Sequence, residues 1–445
     1  MRGAEMIRCS AASVVPFTMI MTLLSCAKTP HYELSRFVSP ETCGGCHADI
    51  YRQWKDSLHH LSHADPVYRE VALSDLKGLT DPDEIDEAEL CVKCHTPVGY
   101  VSGMPKKTSD HLKPIPELAK QGVQCDFCHS ATGARRIYNA EIEIEPGNGE
   151  EDPGIKRGPR SDAEPAYHKA AFSRFHTSSR ICGVCHDVRH VVFGTKLETP
   201  YEEWEKGPYA SGENMITCQG CHMYQRPGIP ATASTERPEN PGSSAQGAPR
   251  RNHIFTHYFV GGNNVVPLLF GRRDRAKMAE ERLKHAATVS IDGIRKGSIA
   301  VSVKNTGAGH RIPTGLSHVR QIWIELKVTN PRGAVLIHSG TLDTRGMLDR
   351  TARIYMTVFG DGKGNRVMNV AKARQVLSDR RIAPLERVTE LYQLPSGYEG
   401  NLIVEARLWY RIAPQELVDG ILGKGKVNIT PVLMASDRRV LKSGQ

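Results

Sequence analysis

The 445-residue chain is long enough for two or three domains. With 39% hydrophobic and 6% aromatic residues, its side chains are a thin supply for several buried cores, so apolar surface from another source is expected. The formal charge of +9 looks basic, but acidic bound groups of the kind implied by the cysteine pattern offset it, so no nucleic-acid partner is inferred.

Residues 1–25 read as an export signal of the lipoprotein type. Arg2 and Arg8 precede an apolar stretch, about 11–24, that is too short to span a bilayer as a stable helix. It ends in Leu23-Leu24-Ser25-Cys26, which resembles the lipobox of bacterial lipoproteins, so Cys26 is expected to be lipidated. An ordinary signal peptide with an incidental cysteine is the alternative. No later run of about 18 uninterrupted apolar residues occurs. The expected product is an exported lipoprotein, anchored to a membrane and facing the periplasm or the cell surface.

Beyond the signal one pentapeptide recurs five times: Cys43-Gly-Gly-Cys46-His47, Cys91-Val-Lys-Cys94-His95, Cys125-Asp-Phe-Cys128-His129, Cys182-Gly-Val-Cys185-His186 and Cys218-Gln-Gly-Cys221-His222. Each has the form of a c-type haem attachment site. Two thiols three residues apart on one helical turn reach the two vinyl groups of a haem, while the adjacent imidazole reaches its iron. Structural zinc would need a second cysteine pair to complete each tetrahedron and gives no reason for histidine to follow directly. A disulfide framework ignores the histidines as well. Five c-type haems are therefore expected, held by those ten cysteines, with His47, His95, His129, His186 and His222 as proximal ligands. Export agrees, since c-type maturation takes place outside the cytoplasm. The haem propionates would bring the loaded protein close to neutral.

First cysteine to first cysteine, the motifs are 48, 34, 57 and 36 residues apart, short gaps alternating with long ones. Leu90-Cys91 resembles Ile181-Cys182, and Val123-Gln124-Cys125 resembles Ile216-Thr217-Cys218. This suggests a duplicated two-haem unit at 90–129 and 181–222, preceded by a single site. Residues 145–165 and 226–250, rich in Pro, Gly and polar residues, read as surface loops. The pentahaem region is taken as 26–270, and the helical spacing of Ala276, Met278, Ala279 and Leu283 marks a connecting helix over 271–288. From 289 to 445 the period changes to two, as in Ile299/Val301/Val303 and Ile322/Ile324/Leu326/Val328. The expected fold is mixed: a mostly α-helical, loop-rich haem domain followed by an antiparallel β-sandwich domain.

The motif histidines leave 14 of the 19 in the chain, enough to put histidine on both faces of every iron. His59 and His63, four apart after Trp54, share one helical face. His176 lies six residues before the fourth motif, and His257 sits in Thr256-His257-Tyr258-Phe259. His310 stands in a glycine-flanked loop, Gly307-Ala308-Gly309-His310, where glycine would let backbone approach a macrocycle. Met104, Met215 and Met223 remain alternative ligands. Two histidines give a saturated iron that exchanges electrons without binding substrate.

The run from the first motif through Trp54, Ser57 and His59 to Asp65-Pro66-Val67 resembles multihaem cytochromes of the cytochrome c-554-like kind. So do Cys185-His186-Asp187-Val188, Thr217 to Met223 and the loop around His310, which resemble members carrying a C-terminal β domain. The resemblance spans most of residues 40–410. It implies His59, His176, His257 and His310 as distal ligands and leaves the fifth among His63, His253 and His111.

The expected function is electron transfer along bis-histidine haems, with a quinol-oxidising complex, other cytochromes or a terminal reductase as redox partners. One alternative is a reductase or oxidase of a small nitrogen or sulfur compound, which needs one open iron. Another is a subunit of an extracellular cytochrome filament.

Overall fold

The computed structural model describes residues 31–442, so Cys26 and the export signal lie outside the described residues. The fold is mixed. Up to residue 284 it consists of short helices joined by long turns, and four motifs end in helices: Pro40–Cys46, Val92–His95, Cys125–His129 and Cys218–His222. The fourth motif starts in Arg180–Gly183 and runs on past its end. These helices are short because their starts are fixed locally. Ser39 accepts from the Thr42 N–H with Pro40 in the first turn, and Thr217 accepts from the Gly220 N–H. Within one turn the two cysteines, three apart, come to the same face.

The loops between the motifs are not all irregular. Ile155–Gly158 pairs in parallel with Lys169–Phe172, so the stretch read as a surface excursion closes on itself. Its apolar core is small: Phe37, Val92, Val98, Tyr100, Val101, Phe127, Ala131 and Ile144 are its largest buried cluster. A helix at Arg273–Lys284 buries Ala276, Met278, Ala279 and Leu283, the residues whose spacing suggested it.

From Ala287 onward the chain is mostly strands, with a helix at Gln415–Leu422 between the last two. Ala287–Arg295 and Ser298–Asn305 form a hairpin whose two-residue turn places Lys296 at φ 49° and Gly297 at φ 74°, the left-handed pair that a tight hairpin requires. Arg387–Gln393 completes that antiparallel sheet. The second sheet is centred on Gln321–Thr329 and Asn401–Arg411, with Val404 opposite Val328 and Trp409 opposite Trp323, and has Val432–Lys442 at one edge. Alternate residues of both sheets, among them Ile291, Val301, Ile324, Leu326, Val404 and Leu408, belong to one continuous buried cluster.

The β region is fastened to the haem-motif region by polar contacts. Asn369 donates to the Asp75 carbonyl at 2.8 Å, and His190 Nε2 to the Ala371 carbonyl at 2.9 Å. Arg374 pairs with Asp81 at 2.7 Å, and Arg381 with Glu203 at 2.8 Å.

Candidate functional site

Four of the five motif histidines are anchored by a neighbouring carbonyl in the manner of haem ligands. His47 Nδ1 donates to the Ser244 carbonyl at 2.7 Å, His95 to Ser62 at 3.2 Å, His129 to Arg157 at 2.6 Å and His222 to Val260 at 2.9 Å. A carbonyl can only accept, so the proton sits on Nδ1 and the lone pair on Nε2. Burial keeps the rings neutral, holding His95 down at about 4, His129 and His186 below the ordinary value, and His222 well below it. A neutral imidazole whose Nδ1–H is anchored is the ligand form that haem iron takes.

Facing imidazoles complete the picture. Two iron–nitrogen bonds of about 2 Å put the ring centres of opposed ligands about 6 Å apart. His59 and His186 have centres 6.1 Å apart, His47 and His168 6.3 Å, and His129 and His257 6.5 Å. His168 and His257 also donate Nδ1–H to carbonyls, of Lys169 at 2.9 Å and Phe255 at 3.1 Å. Burial depresses His59 and His257 to about 3. His310 donates Nδ1–H to the Arg311 carbonyl at 3.0 Å and lies near enough to His222 and His186 to lower both, while its own burial takes it to about 4. The residues present thus fit haem at several centres.

The remaining candidates differ. His176 lies 5.7 Å from His129, but its Nε2 donates to the Cys128 carbonyl at 2.9 Å, within the motif itself, and its buried Nδ1 has no partner among the described residues. His63 bonds Thr96 Oγ1 at 2.9 Å through Nδ1 and packs 5.1 Å from His111. His111 in turn bonds the Tyr68 hydroxyl at 2.9 Å, and the Tyr68 ring lies flat on His95, centres 3.7 Å apart. His253 Nδ1 accepts from the Asn240 N–H at 3.1 Å, so its proton is on Nε2 and it is a donor rather than a ligand. Met215 is 56% exposed. Sequence reasoning missed His168. Nothing in Tyr167-His168-Lys169 marks it, and only the Ile155–Gly158 and Lys169–Phe172 pairing carries it to His47.

The motifs also meet each other. Cys43 lies beside Cys125, Cys182 beside Cys218, and Cys94 beside Cys185, each pair close enough to shift the other's titration. The first two contacts belong to equivalent units. In one, Gly44 packs under Tyr51, the Tyr51 and Trp54 rings sit 5.8 Å apart at 38°, and Trp54 donates to the Val123 carbonyl just before Cys125. In the other, Gly183 packs under Tyr201, the Tyr201 and Trp204 rings sit 5.9 Å apart at 38°, and Trp204 donates to the Ile216 carbonyl just before Cys218. Asp126 and Gln219, each following the first cysteine of its motif, reach back to Val38 at 2.8 Å and to Ser178 at 2.7 Å. The repeat therefore joins motif one with three and motif four with five, and the second motif is interposed. This corrects the pairing of 90–129 with 181–222 drawn from spacing. A short gap in sequence does not fix which sites touch when a tryptophan reaches across an intervening motif.

Two further groups shape the surroundings. Arg282 is buried beside the fifth motif, donating to Gln225 at 2.9 Å and to the Cys221 carbonyl at 2.5 Å, and burial lowers it to about 10. Asp187 is fully buried, accepts from the Glu202 N–H at 3.0 Å and anchors the start of Pro200–Glu205. Of the glycines before His310, Gly307 has a packing role within the chain. A Cβ on Gly307 would lie 1.9 Å from the His285 carbonyl oxygen, so close backbone packing within the chain demands glycine there.

Residues 42–130 match the family described as cytochrome c554 and c-prime. The chain also matches the crystal structure of a penta-heme cytochrome c552 from Thermochromatium tepidum, at a TM-score of 0.60 and 23% identity, covering 92% of this chain and 100% of that one. No curated protein matches it. With the attachment motifs and the prepared imidazoles, the match over residues 42–130 supports a multihaem c-type cytochrome similar to the c554-like family.

Proposed function

We propose that this chain is a pentahaem c-type cytochrome that relays electrons in an exported respiratory or extracytoplasmic pathway. The observation that carries the reading is the set of opposed histidines about 6 Å apart, His47 with His168, His186 with His59 and His129 with His257, each proximal ring aimed through Nε2 or buried neutral. Bound haem supplies one-electron redox chemistry at iron. The chain's own residues hold four of the irons on both faces and bring neighbouring attachment cysteines close together. His310 is taken as the sixth ligand opposite His222, and His257 rather than His176 as the ligand opposite His129. The cysteine contacts support an order in which the fourth centre joins the second and fifth directly, while the first joins the third. The two paired strand regions are read together as a β-sandwich domain that delivers His310. Lipidation at Cys26, a membrane anchor and partners such as a quinol-oxidising complex, another cytochrome or a terminal reductase complete the reading.

A second reading is favoured by the second centre. No opposed histidine ring at about 6 Å accompanies His95 among the described residues; Tyr68 and His111 occupy its surroundings instead. An iron open there would suit a reductase or oxidase of a small nitrogen or sulfur compound. Low-temperature EPR of the oxidised holoprotein, with haem counted per chain, separates the two. Five low-spin haems support the carrier, one high-spin ferric signal supports the enzyme, and a count other than five sinks the pentahaem reading.

A further inference from the structure

Away from the opposed histidines, a cleft of about 550 Å³ is lined by Arg160, Arg250, Arg251, Asn252, His253 and Phe255. Its charge is mostly uncompensated. Arg251 pairs with Asp162 at 2.8 Å, Arg160 donates to the His253 carbonyl at 2.7 Å, and Arg250 is exposed with no partner among the described residues. Three guanidiniums therefore face one carboxylate. His253 is fixed in this wall by Tyr224, stacked on it with centres 3.9 Å apart, and by the edge of Phe255 at 5.0 Å. Since its Nδ1 accepts the Asn240 N–H, its Nε2 carries a proton, and that buried N–H has no acceptor among the described residues. A buried donor without a partner, beside a surplus of planar forked cations, calls for an anionic oxygen acceptor.

We propose that this cleft is an oxyanion-binding site, in which Arg250 and Arg251 neutralise a carboxylate or small inorganic oxyanion and the His253 Nε2–H donates to one of its oxygens. The chemistry has two sources, a free oxyanion from solution or a haem propionate. The segment that carries His253 leads directly into His257, so a propionate of a neighbouring haem lies within the class the site accepts.

The test uses the full-length holoprotein with Arg250→Gln, Arg251→Gln and the double variant. Calorimetry with sodium sulfate at low ionic strength is paired with spectroelectrochemical titration of the haems. For a free oxyanion, sulfate binds the unaltered protein, each substitution weakens binding tenfold or more, and midpoint potentials do not move. For a propionate, sulfate does not bind, and the double variant lowers the midpoint potential of one haem while the others stay in place. Arg250 is exposed and unpaired, so its variant is expected to fold with full haem content. Sulfate binding that all variants retain, or no binding and no shift in any potential, overturns the proposal.

Discussion

At the scale of single residues, nitrogen chemistry separates ligands from bystanders better than position does. His168 and His253 both stand in polar loops, but one presents a lone pair 6.3 Å from its partner ring and the other presents a proton. His168→Ala is therefore expected to turn one low-spin haem high-spin, with a new high-spin EPR signal integrating to roughly one haem. His253→Ala should leave every haem low-spin, and a spin change there would refute the tautomer argument. Arg282 makes a second residue-scale case. Its buried guanidinium bonds Gln225 and the Cys221 carbonyl, so a positive charge stands close to the fifth motif and favours the reduced iron. Arg282→Gln should lower one midpoint potential by on the order of 50 mV at an effective dielectric near 20. The attachment cysteines and proximal histidines were legible because covalent haem chemistry demands them in one local pattern. The placing of His168 opposite His47 was not, because it depends on a strand pairing that brings together residues distant in sequence.

Elements add constraints that no single residue carries. Gly44 and Gly183 lie beneath Tyr51 and Tyr201, where an added Cβ would meet ring atoms at 2.8 and 2.4 Å, whereas Gly45 has nothing within 4 Å. Gly183→Ala should cost roughly 1–3 kcal/mol by overpacking, seen as a lower thermal midpoint, while Gly45→Ala should leave the midpoint unchanged. Equal effects would remove the packing role. The sequence spacing suggested which motifs form a repeat, but the unit follows from the Trp54 and Trp204 bonds, which are invisible until the helices are placed. The helix Pro82–Ala88 carries a pH effect. Glu87 is 8% exposed and burial raises it to about 7, so the folded state holds its proton where the unfolded chain has lost it. Asp75 is raised to about 7 in the same way. Their contribution is fully present below about pH 4 and fades as pH climbs through 7. Glu87→Gln should flatten the decline in stability between pH 5 and 8 by up to roughly 3 kcal/mol, measured by denaturant melts at each pH.

For the whole molecule, the two halves draw stability from different sources. The strand region closes on its own apolar cluster, from Leu283 and Ile291 through Ile324 to Leu408 and Met434, and its period-two pattern was readable because a half-buried strand must alternate. The haem-motif region has no comparable cluster. Its largest holds Phe37, Val92, Val98, Tyr100, Val101, Phe127, Ala131 and Ile144, spread over more than a hundred residues of short helices and turns. Covalent haem is expected to supply the apolar surface that the 39% hydrophobic composition lacks, so haem loading and folding of this half should be one event. The β region depends on it less, since most of its apolar core is its own and only small clusters, Leu197 with Phe359 and Ala373 and Val265 with Val418 and Ile429, join it to the other half beside polar contacts such as Arg381 with Glu203. Expressed without c-type maturation, the chain should yield a protease-resistant fragment beginning near Arg273–Lys284 and extending through Val432–Lys442, while residues before it are digested. With haem attached, both halves should resist the same protease. Equal protection of both halves without haem would show that the small clusters suffice, and digestion of both would show that the strand region needs its loaded neighbour.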